Sequence, residues 1–397
     1  MRNYLIVCCL ALAYMLTGCG QNESDIDSYF GFGIPQEELD AYLDEKMDQL
    51  DIPGMSIVFV NDGEVVYHRV KGFANREDSL PVTPETIFEA ASISKSIFAH
   101  FVMQYVEEGK LDLDQPLYTY LPYPDIAHDE RYKQITARMV LCHRTGFPNW
   151  RSDHPENKLF LKFDPGTDFN YSGEGYQYLA KVLKHIEGTD WEGLEAKFQE
   201  KVGQPFGLQH TVFIQDAYAM AHKAEAYDKQ GVWISPERDR DSMVRYQFVA
   251  PASIHTESLD FSKWMIAMMN KEGLSPEGFQ EMWKVHTFVE EINDISIDYT
   301  LGFFKPRLPF TDVYLHGGNN YGFTCWFAID PEKDWGYALF TNSEYGEQLG
   351  GELLLYSMVG PNESKALVIV GMGLLVFLSL LFLLIRSAIR RGKKRGP

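Results

Sequence analysis

The order of local signals along this chain limits its fold more than any other feature: strand signals come early, helical signals fill the middle, and strand signals return late. Met55–Val60 and Glu64–Val70 flank Asn61-Asp62-Gly63, a hairpin turn sequence. Before them, from Gln36 to Leu50, acidic residues alternate with Leu, Tyr and Met at helical spacing, and Ile52-Pro53-Gly54 breaks the pattern. Between Ser92 and Glu108, Ile97, Phe98, Phe101, Val102 and Tyr105 recur every three or four residues, which predicts a helix. Residues 111–290 read as helix and loop. Tyr314–His316, Gly322–Ile329 and Gly336–Thr341 read as short strands, and Glu347–Met358 as a last amphipathic helix. Early and late strands with helices between them predict an α/β fold of the α+β type. One antiparallel sheet is completed by both ends of the chain and flanked by helices, and the middle forms a mainly helical lobe.

Both ends carry membrane-type signals. Residues 1–18 combine Arg2 with a short apolar run and lead to Leu16-Thr17-Gly18-Cys19, a pattern similar to a bacterial lipobox. They predict a lipoprotein-type signal peptide, with Cys19 as the lipidation site and 19–35 as a tether. Residues 366–385 are an uncharged apolar run followed by Arg386, Arg390, Arg391, Lys393, Lys394 and Arg395. That pattern predicts a C-terminal transmembrane helix after a linker at 359–365, with 386–397 as a basic cytoplasmic tail. The predicted domain, 36–358, then lies on the extracytoplasmic, periplasmic side of the cytoplasmic membrane. All 56 Asp and Glu fall within 20–365, and 7 of the 36 Lys and Arg fall outside it, so that segment carries a net charge near −27. Such an acidic surface argues against nucleic acid as a partner.

Cysteine and metal motifs say little. Outside the signal region only Cys142 and Cys325 occur, and two buried free thiols are expected. No C-x-x-C, H-E-x-x-H or P-loop pattern is present, and no metal or cofactor is assigned.

Three segments carry chemistry. Ser92-Ile93-Ser94-Lys95 opens the predicted helix, where residues three apart share a face, so Lys95 can take the Ser92 proton if its pKa is lowered. Taken alone, the tetrapeptide reads more readily as a helix cap beside a solvated lysine. Tyr171-Ser172-Gly173 and His316-Gly317-Gly318 follow in order.

With its flanks, this set resembles the serine beta-lactamase and penicillin-binding-protein superfamily, in particular its class C beta-lactamase and DD-peptidase-like branch. Thr86–Lys95 is similar to the family's entry to the nucleophile helix, Glu108–Asp114 to the turn after it, and Val140-Leu141-Cys142-His143-Arg144-Thr145-Gly146 to its L-L-x-H-x-S-G stretch. Pro165–Ser172 is similar to the approach to the Y-x-N motif, and His316-Gly317-Gly318 to the K-T-G-type motif. The resemblance implies a beta-lactamase/transpeptidase-like fold with Ser92 as acylated nucleophile, Lys95 as proton acceptor and Tyr171 as a second base shuttling protons to the leaving group. It also implies that His316, with Gly317 and Gly318, helps hold a substrate carboxylate or polarise the site. The backbone N–H groups of Ser92 and Asn319 would receive the oxyanion.

Two positions depart from the pattern: Gly173 stands where the family has asparagine, and His316 where it has lysine. His143 and the tryptophans Trp150, Trp191, Trp233 and Trp264 read as structural, the latter as core or cleft wall. The expected function is a membrane-anchored serine hydrolase acting on D-amino-acid peptides, amides or small esters, with peptidoglycan fragments suited to its location. A catalytically silent cell-wall or beta-lactam sensor and a class C-like beta-lactamase remain as alternatives.

Overall fold

In the computed structural model, residues 26–234, 247–292, 295–308 and 311–362 are described. The helices are α1 (Gln36–Gln49), α2 (Ser94–Glu107), α3 (Ala137–Leu141), α4 (Gly173–Ile186), α5 (Trp191–Phe198), α6 (Ala217–His222), α7 (Ser258–Met269), α8 (Pro276–Trp283) and α9 (Gly346–Val359). Nine strands form the main sheet: β1 (Gly54–Asn61), β2 (Glu64–Asn75), β3 (Leu80–Pro81), β4 (Thr287–Ile292), β5 (Ile295–Tyr299), β6 (Phe304–Pro306), β7 (Tyr314–Asn320), β8 (Phe323–Asp330) and β9 (Trp335–Thr341). Their order is β4-β5-β6-β7-β8-β9-β1-β2-β3, and every pairing is antiparallel. The late strand β9 lies beside the early strand β1, with Leu339 opposite Ile57, so the two parts of the chain close one sheet.

The hairpin joining β1 and β2 turns at Asp62 and Gly63, with φ of 50° and 74°. Two successive positive φ values are what a type I′ turn requires, and Asp-Gly tolerates them at low cost. β1 and β9 are buried along their whole length. They therefore read as continuous apolar runs rather than as alternating ones, because both faces of the sheet centre are covered. α7 lies against this centre, where Ser258 and Ser56 meet hydroxyl to hydroxyl at 2.7 Å.

α2 is buried on every face from Ser94 to Tyr105. Phe98 packs among Phe101, Tyr176, Phe213 and Phe248. A buried helix must satisfy its polar side chains internally. Ser94 Oγ accepts from the Ile254 amide at 3.0 Å, Ser96 Oγ donates to the Gly302 carbonyl at 2.7 Å, and His100 Nδ1 accepts from the Trp264 indole at 3.3 Å. Cys142 and Cys325 are both buried free thiols.

The chain divides into two compact units. Residues 43–352 hold the sheet and the catalytic motifs. The other unit draws on the chain up to Tyr42 and from Leu353 on. In it a small ladder pairs Ile26 with Ile34, and Tyr42 stacks on Tyr356 at 4.1 Å between ring centroids.

The α/β architecture stands, but the transmembrane helix expected as part of it is corrected. No helix of the described residues is long and apolar enough to cross a membrane. The longest have 14 residues. At about 1.5 Å per residue they fall well short of the roughly 30 Å of hydrocarbon in a bilayer. The segment 366–385 on which that expectation rested lies outside the described residues, as do residues 1–18 and Cys19. Strands β4 to β6 were not anticipated; β4 is an exposed edge whose Phe288 and Ile292 face solvent.

Candidate active site

The chain enters α2 through a 3₁₀ turn, Ala91–Ile93, and Ala91 has a φ of 42°. A positive φ in alanine is strained backbone of the kind held only by surrounding structure. Here it ends the approach strand and turns Ser92 into the cleft, where it is partly exposed. The cap of α2 is Ile93, with no side-chain cap bond, so the Ser92 hydroxyl is not spent on the helix end. Three residues make one 3₁₀ turn, so positions i and i+3 eclipse. Lys95 Nζ accordingly lies 3.0 Å from Ser92 Oγ, and 3.0 Å from the Pro251 carbonyl oxygen.

Lys95 is 1 % exposed. Burial holds its ammonium well below the ordinary lysine range. Its two partners are neutral, so nothing beside it offsets burial's push toward the uncharged amine, the form whose lone pair can take a proton. The Tyr171 ring lies 4.5 Å from Lys95 Nζ, and the Tyr171 hydroxyl is hydrogen-bonded to the Ser92 side chain. Burial pushes the Tyr171 phenol up, an effect the Ser92 hydrogen bond only partly offsets, so the resting group is a protonated phenol. The shuttle role expected of Tyr171 therefore starts from its neutral form.

Tyr171 is held from both sides by His143, which sits in left-handed backbone with a φ of 59°. The Asn170 amide donates to the His143 carbonyl at 2.9 Å, and the Ser172 amide donates to His143 Nδ1 at 3.0 Å. The His143 ring packs on the Tyr171 ring at 4.2 Å between centroids. Ser172 caps α4 by accepting from the Gly175 amide at 3.0 Å and donates to the Pro148 carbonyl at 2.8 Å. His143 is thus a positioning residue for Tyr171.

The Gly173 departure has a physical counterpart. A Cβ at position 173 would stand 3.0 and 3.1 Å from two Trp150 ring carbons and 3.2 Å from the Asn149 carbonyl oxygen. The Trp150 indole fills the space that a side chain at 173 would enter. The same loop is fastened to α4: the Arg151 guanidinium pairs with both oxygens of Glu174 at 2.9 and 2.8 Å, and the Arg151 amide donates to that carboxylate at 3.0 Å. Trp150 is 37 % exposed, as a cleft wall should be.

The third segment lies on β7, which pairs with β8 throughout, including His316 opposite Phe327, but with β6 only at Leu315. Beyond Leu315 its other edge packs against the 91–93 turn. A Cβ on Gly318 would stand 2.7 Å from the Ser92 amide nitrogen and 2.9 Å from Ala91 Cβ, so glycine is what lets β7 approach the nucleophile. Asn319 follows on the same strand and is exposed. His316 is buried, with Nε2 3.1 Å from the Tyr299 hydroxyl and Nδ1 2.6 Å from the Gly317 carbonyl oxygen. Burial is the main cause that lowers its pKa to about 3. It is neutral, so it brings no positive charge to a substrate carboxylate.

Two site features escaped sequence reasoning. Tyr299 lies on β5, a strand that was not anticipated. Glu89, immediately before the nucleophile turn, is buried and tied to Lys223, and it accepts from Asn320 Nδ2 at 2.8 Å. The same Asn320 group donates to the Ala252 carbonyl at 3.0 Å, fixing the end of β7 to the segment that carries Pro251.

The family model described as beta-lactamase matches residues 39–356. The chain is 23 % identical over 334 residues to "Protein flp" of Staphylococcus aureus (strain MW2), a match covering 79 % of this chain and 65 % of that protein, less than two thirds of its length. It is 28 % identical over 204 residues to "Esterase EstB" of Burkholderia gladioli, covering 44 % of this chain and 51 % of that one. Among solved structures, the octameric penicillin-binding protein homologue from Pyrococcus abyssi is 25 % identical, with a TM-score of 0.64 over 79 % of this chain and 76 % of that one. The D-amino acid amidase from Ochrobactrum anthropi SV3 is 20 % identical, with a TM-score of 0.67 over 81 % of this chain and 97 % of that one; at that identity the likeness speaks for the fold alone.

Proposed function

The chain belongs to the beta-lactamase family of serine hydrolases, and from that membership and the site geometry we propose that it cleaves small esters or amides, D-amino-acid amides among them, through an acyl-enzyme on Ser92. One observation carries the reading: the amine of a buried Lys95 stands 3.0 Å from a partly exposed Ser92 hydroxyl. Lys95 takes the proton as Ser92 Oγ bonds to the acyl carbon. The N–H groups of Ser92 and Asn319 receive the oxyanion. Tyr171 relays the proton from Lys95 to the departing oxygen or nitrogen as its bond to the acyl carbon breaks. Water then attacks the ester, giving its proton back along the same groups, and Ser92 is regenerated.

Neutral esters and amides are favoured over acyl donors that bear a carboxylate, because His316 is buried and uncharged. The esterase description of the Burkholderia gladioli relative supports the same class. The signal-like residues 1–18 and Cys19 support work outside the cytoplasm, on the periplasmic side, with peptidoglycan fragments in reach. Incorporation of labelled palmitate that is lost in Cys19→Ser tests that placement.

The direct test treats the full-length protein with a fluorophosphonate, maps the adduct, and follows p-nitrophenyl esters, a D-amino-acid amide, a D-Ala-D-Ala peptide and nitrocefin with wild type and Ser92→Ala. The expected result is an adduct on Ser92 and ester or amide turnover that the substitution abolishes. A folded protein that forms no adduct and turns over none of these substrates overturns the reading.

A further inference from the structure

Beneath the Tyr171 turn and β7 lies a chain of buried polar contacts that proton transfer at Ser92 does not use. His143 Nε2 is 3.2 Å from the Tyr299 hydroxyl, and that hydroxyl is 3.1 Å from His316 Nε2. Both ends of the chain have a fixed direction. At one end the Ser172 amide is a donor, so His143 Nδ1 must accept and carries no proton. A neutral His143 then carries its proton on Nε2 and donates it to Tyr299. At the other end the Gly317 carbonyl is an acceptor, so His316 Nδ1, 2.6 Å away, must carry the proton. His316 Nε2 is then bare and accepts from Tyr299. The opposite arrangement would set two N–H protons against each other at the Ser172 end and two lone pairs against each other at the Gly317 end. Tyr176 donates its own proton to the Leu141 carbonyl at 3.0 Å and so supplies none to Tyr299.

We propose that Tyr299 is a positioning residue: with His143 and His316 it forms a one-way hydrogen-bond wire, from the Ser172 amide to the Gly317 carbonyl, that locks the Tyr171 turn to strand β7. The wire joins the two segments that must keep register across the cleft, the turn bearing the proton relay and the strand bearing the oxyanion donor. It also spends every proton of His316 away from substrate. Burial of all three rings and the low basicity of both imidazoles suit a wire that stays neutral. The inference goes beyond the acyl-transfer reading and rests on it for its kinetic arm alone.

Nitrogen-15 NMR of histidine-labelled wild-type protein gives the test that needs no substrate. The expected spectra show His143 as the Nε2–H tautomer and His316 as the Nδ1–H tautomer, unchanged between pH 5 and 9. Either histidine in the other tautomer, or titrating near the ordinary value of about 6.5, overturns the wire. The kinetic arm uses Tyr299→Phe and site-specific 3-fluorotyrosine at 299, the latter keeping ring and hydroxyl where the former fails to fold. Tyr299→Phe is expected to lower kcat for an ester roughly 10- to 100-fold with KM nearly unchanged, the penalty of a misplaced catalytic group. Fluorotyrosine is expected to shift the His316 Nε2 resonance and to change kcat. A folded Tyr299→Phe enzyme with wild-type kcat, or a fluorotyrosine enzyme altered in neither readout, refutes the positioning role. A folded wild type that forms no adduct and turns over none of the substrates, but shows the expected tautomers, overturns the acyl-transfer reading and leaves the wire standing, so the two proposals fail separately.

Discussion

Gly173→Asn restores the family's asparagine, and the structure says the restoration is unfavourable in this chain. The added Cβ alone would sit 3.0 Å from a Trp150 ring carbon and 3.2 Å from the Asn149 carbonyl oxygen. Carbon atoms prefer about 3.5–4.0 Å, so the overlap is roughly half an ångström before the amide is added. The indole is not free to swing aside, because Arg151, its chain neighbour, is clamped to buried Glu174 by three hydrogen bonds. Overpacking of this kind costs about 1–3 kcal/mol. Replacing a glycine in unstrained helical backbone returns about 0.4–1 kcal/mol by reducing unfolded-state freedom. The net expectation is a loss of about 1–2 kcal/mol, or a few degrees in Tm. In a Trp150→Ala background the indole contacts are gone and only the Asn149 carbonyl contact at 3.2 Å remains, so the same change becomes nearly neutral, a coupling of about 1–3 kcal/mol. Urea and thermal melts of the four proteins measure it. If Gly173→Asn costs the same with and without Trp150, the indole does not occupy the asparagine's place, and the account of this departure fails.

Two other outcomes follow from buried charges. Burial holds the Lys95 ammonium well below its unfolded value of about 10.4, so between the folded and unfolded values the unfolded state binds the extra proton and stability rises with pH. Relative to Lys95→Met, which is expected to be inactive, the wild type should gain stability from pH 7 to pH 10 in urea melts; a constant difference refutes the neutral amine. For Glu89, burial alone would raise the pKa, but the charges of Lys223 and His255 and the hydrogen bonds from Lys223 and Asn320 outweigh it and hold the carboxyl at about 2. Its contribution is present above about pH 4.3 and is lost as pH falls toward 2, so Glu89→Gln should destabilise by roughly 3 kcal/mol at pH 7 and by much less at pH 2.5. Equal destabilisation at both pH values would show that the charge is not what matters there.

What could be read from the sequence followed from how locally each feature is determined. The hairpin at Asp62-Gly63, the helix through Phe98 and Phe101 and the return of strands at Tyr314 depend on neighbours in the chain, and spacing was enough to find them. Ser92 and Lys95 are three residues apart, so their contact needed only one turn of helix. The short strands β4 to β6 were missed because they carry mixed signals: β4 alternates Phe, Val and Ile with two glutamates on an exposed edge, and β6 has three residues. Tyr299 lies 156 residues from His143, a pairing that no pattern along the chain predicts.

The meaning of a motif departure proved just as non-local. Gly173 stands where the family has asparagine, and a tryptophan 23 residues earlier stands where the side chain would go, held there by Arg151 and Glu174. His316 was expected to help hold a substrate carboxylate or polarise the site, yet a tyrosine from another strand supplies the proton that its bare Nε2 accepts. The two departures belong together for this reason. Each removes a group that would grip a polar or charged substrate, and each is filled from within the protein, one by an indole and one by a hydroxyl. Ser92, Lys95 and Tyr171, the residues proposed to make and break the acyl bond, are left untouched by either departure, so a changed substrate choice with that geometry kept is what the proposed function predicts.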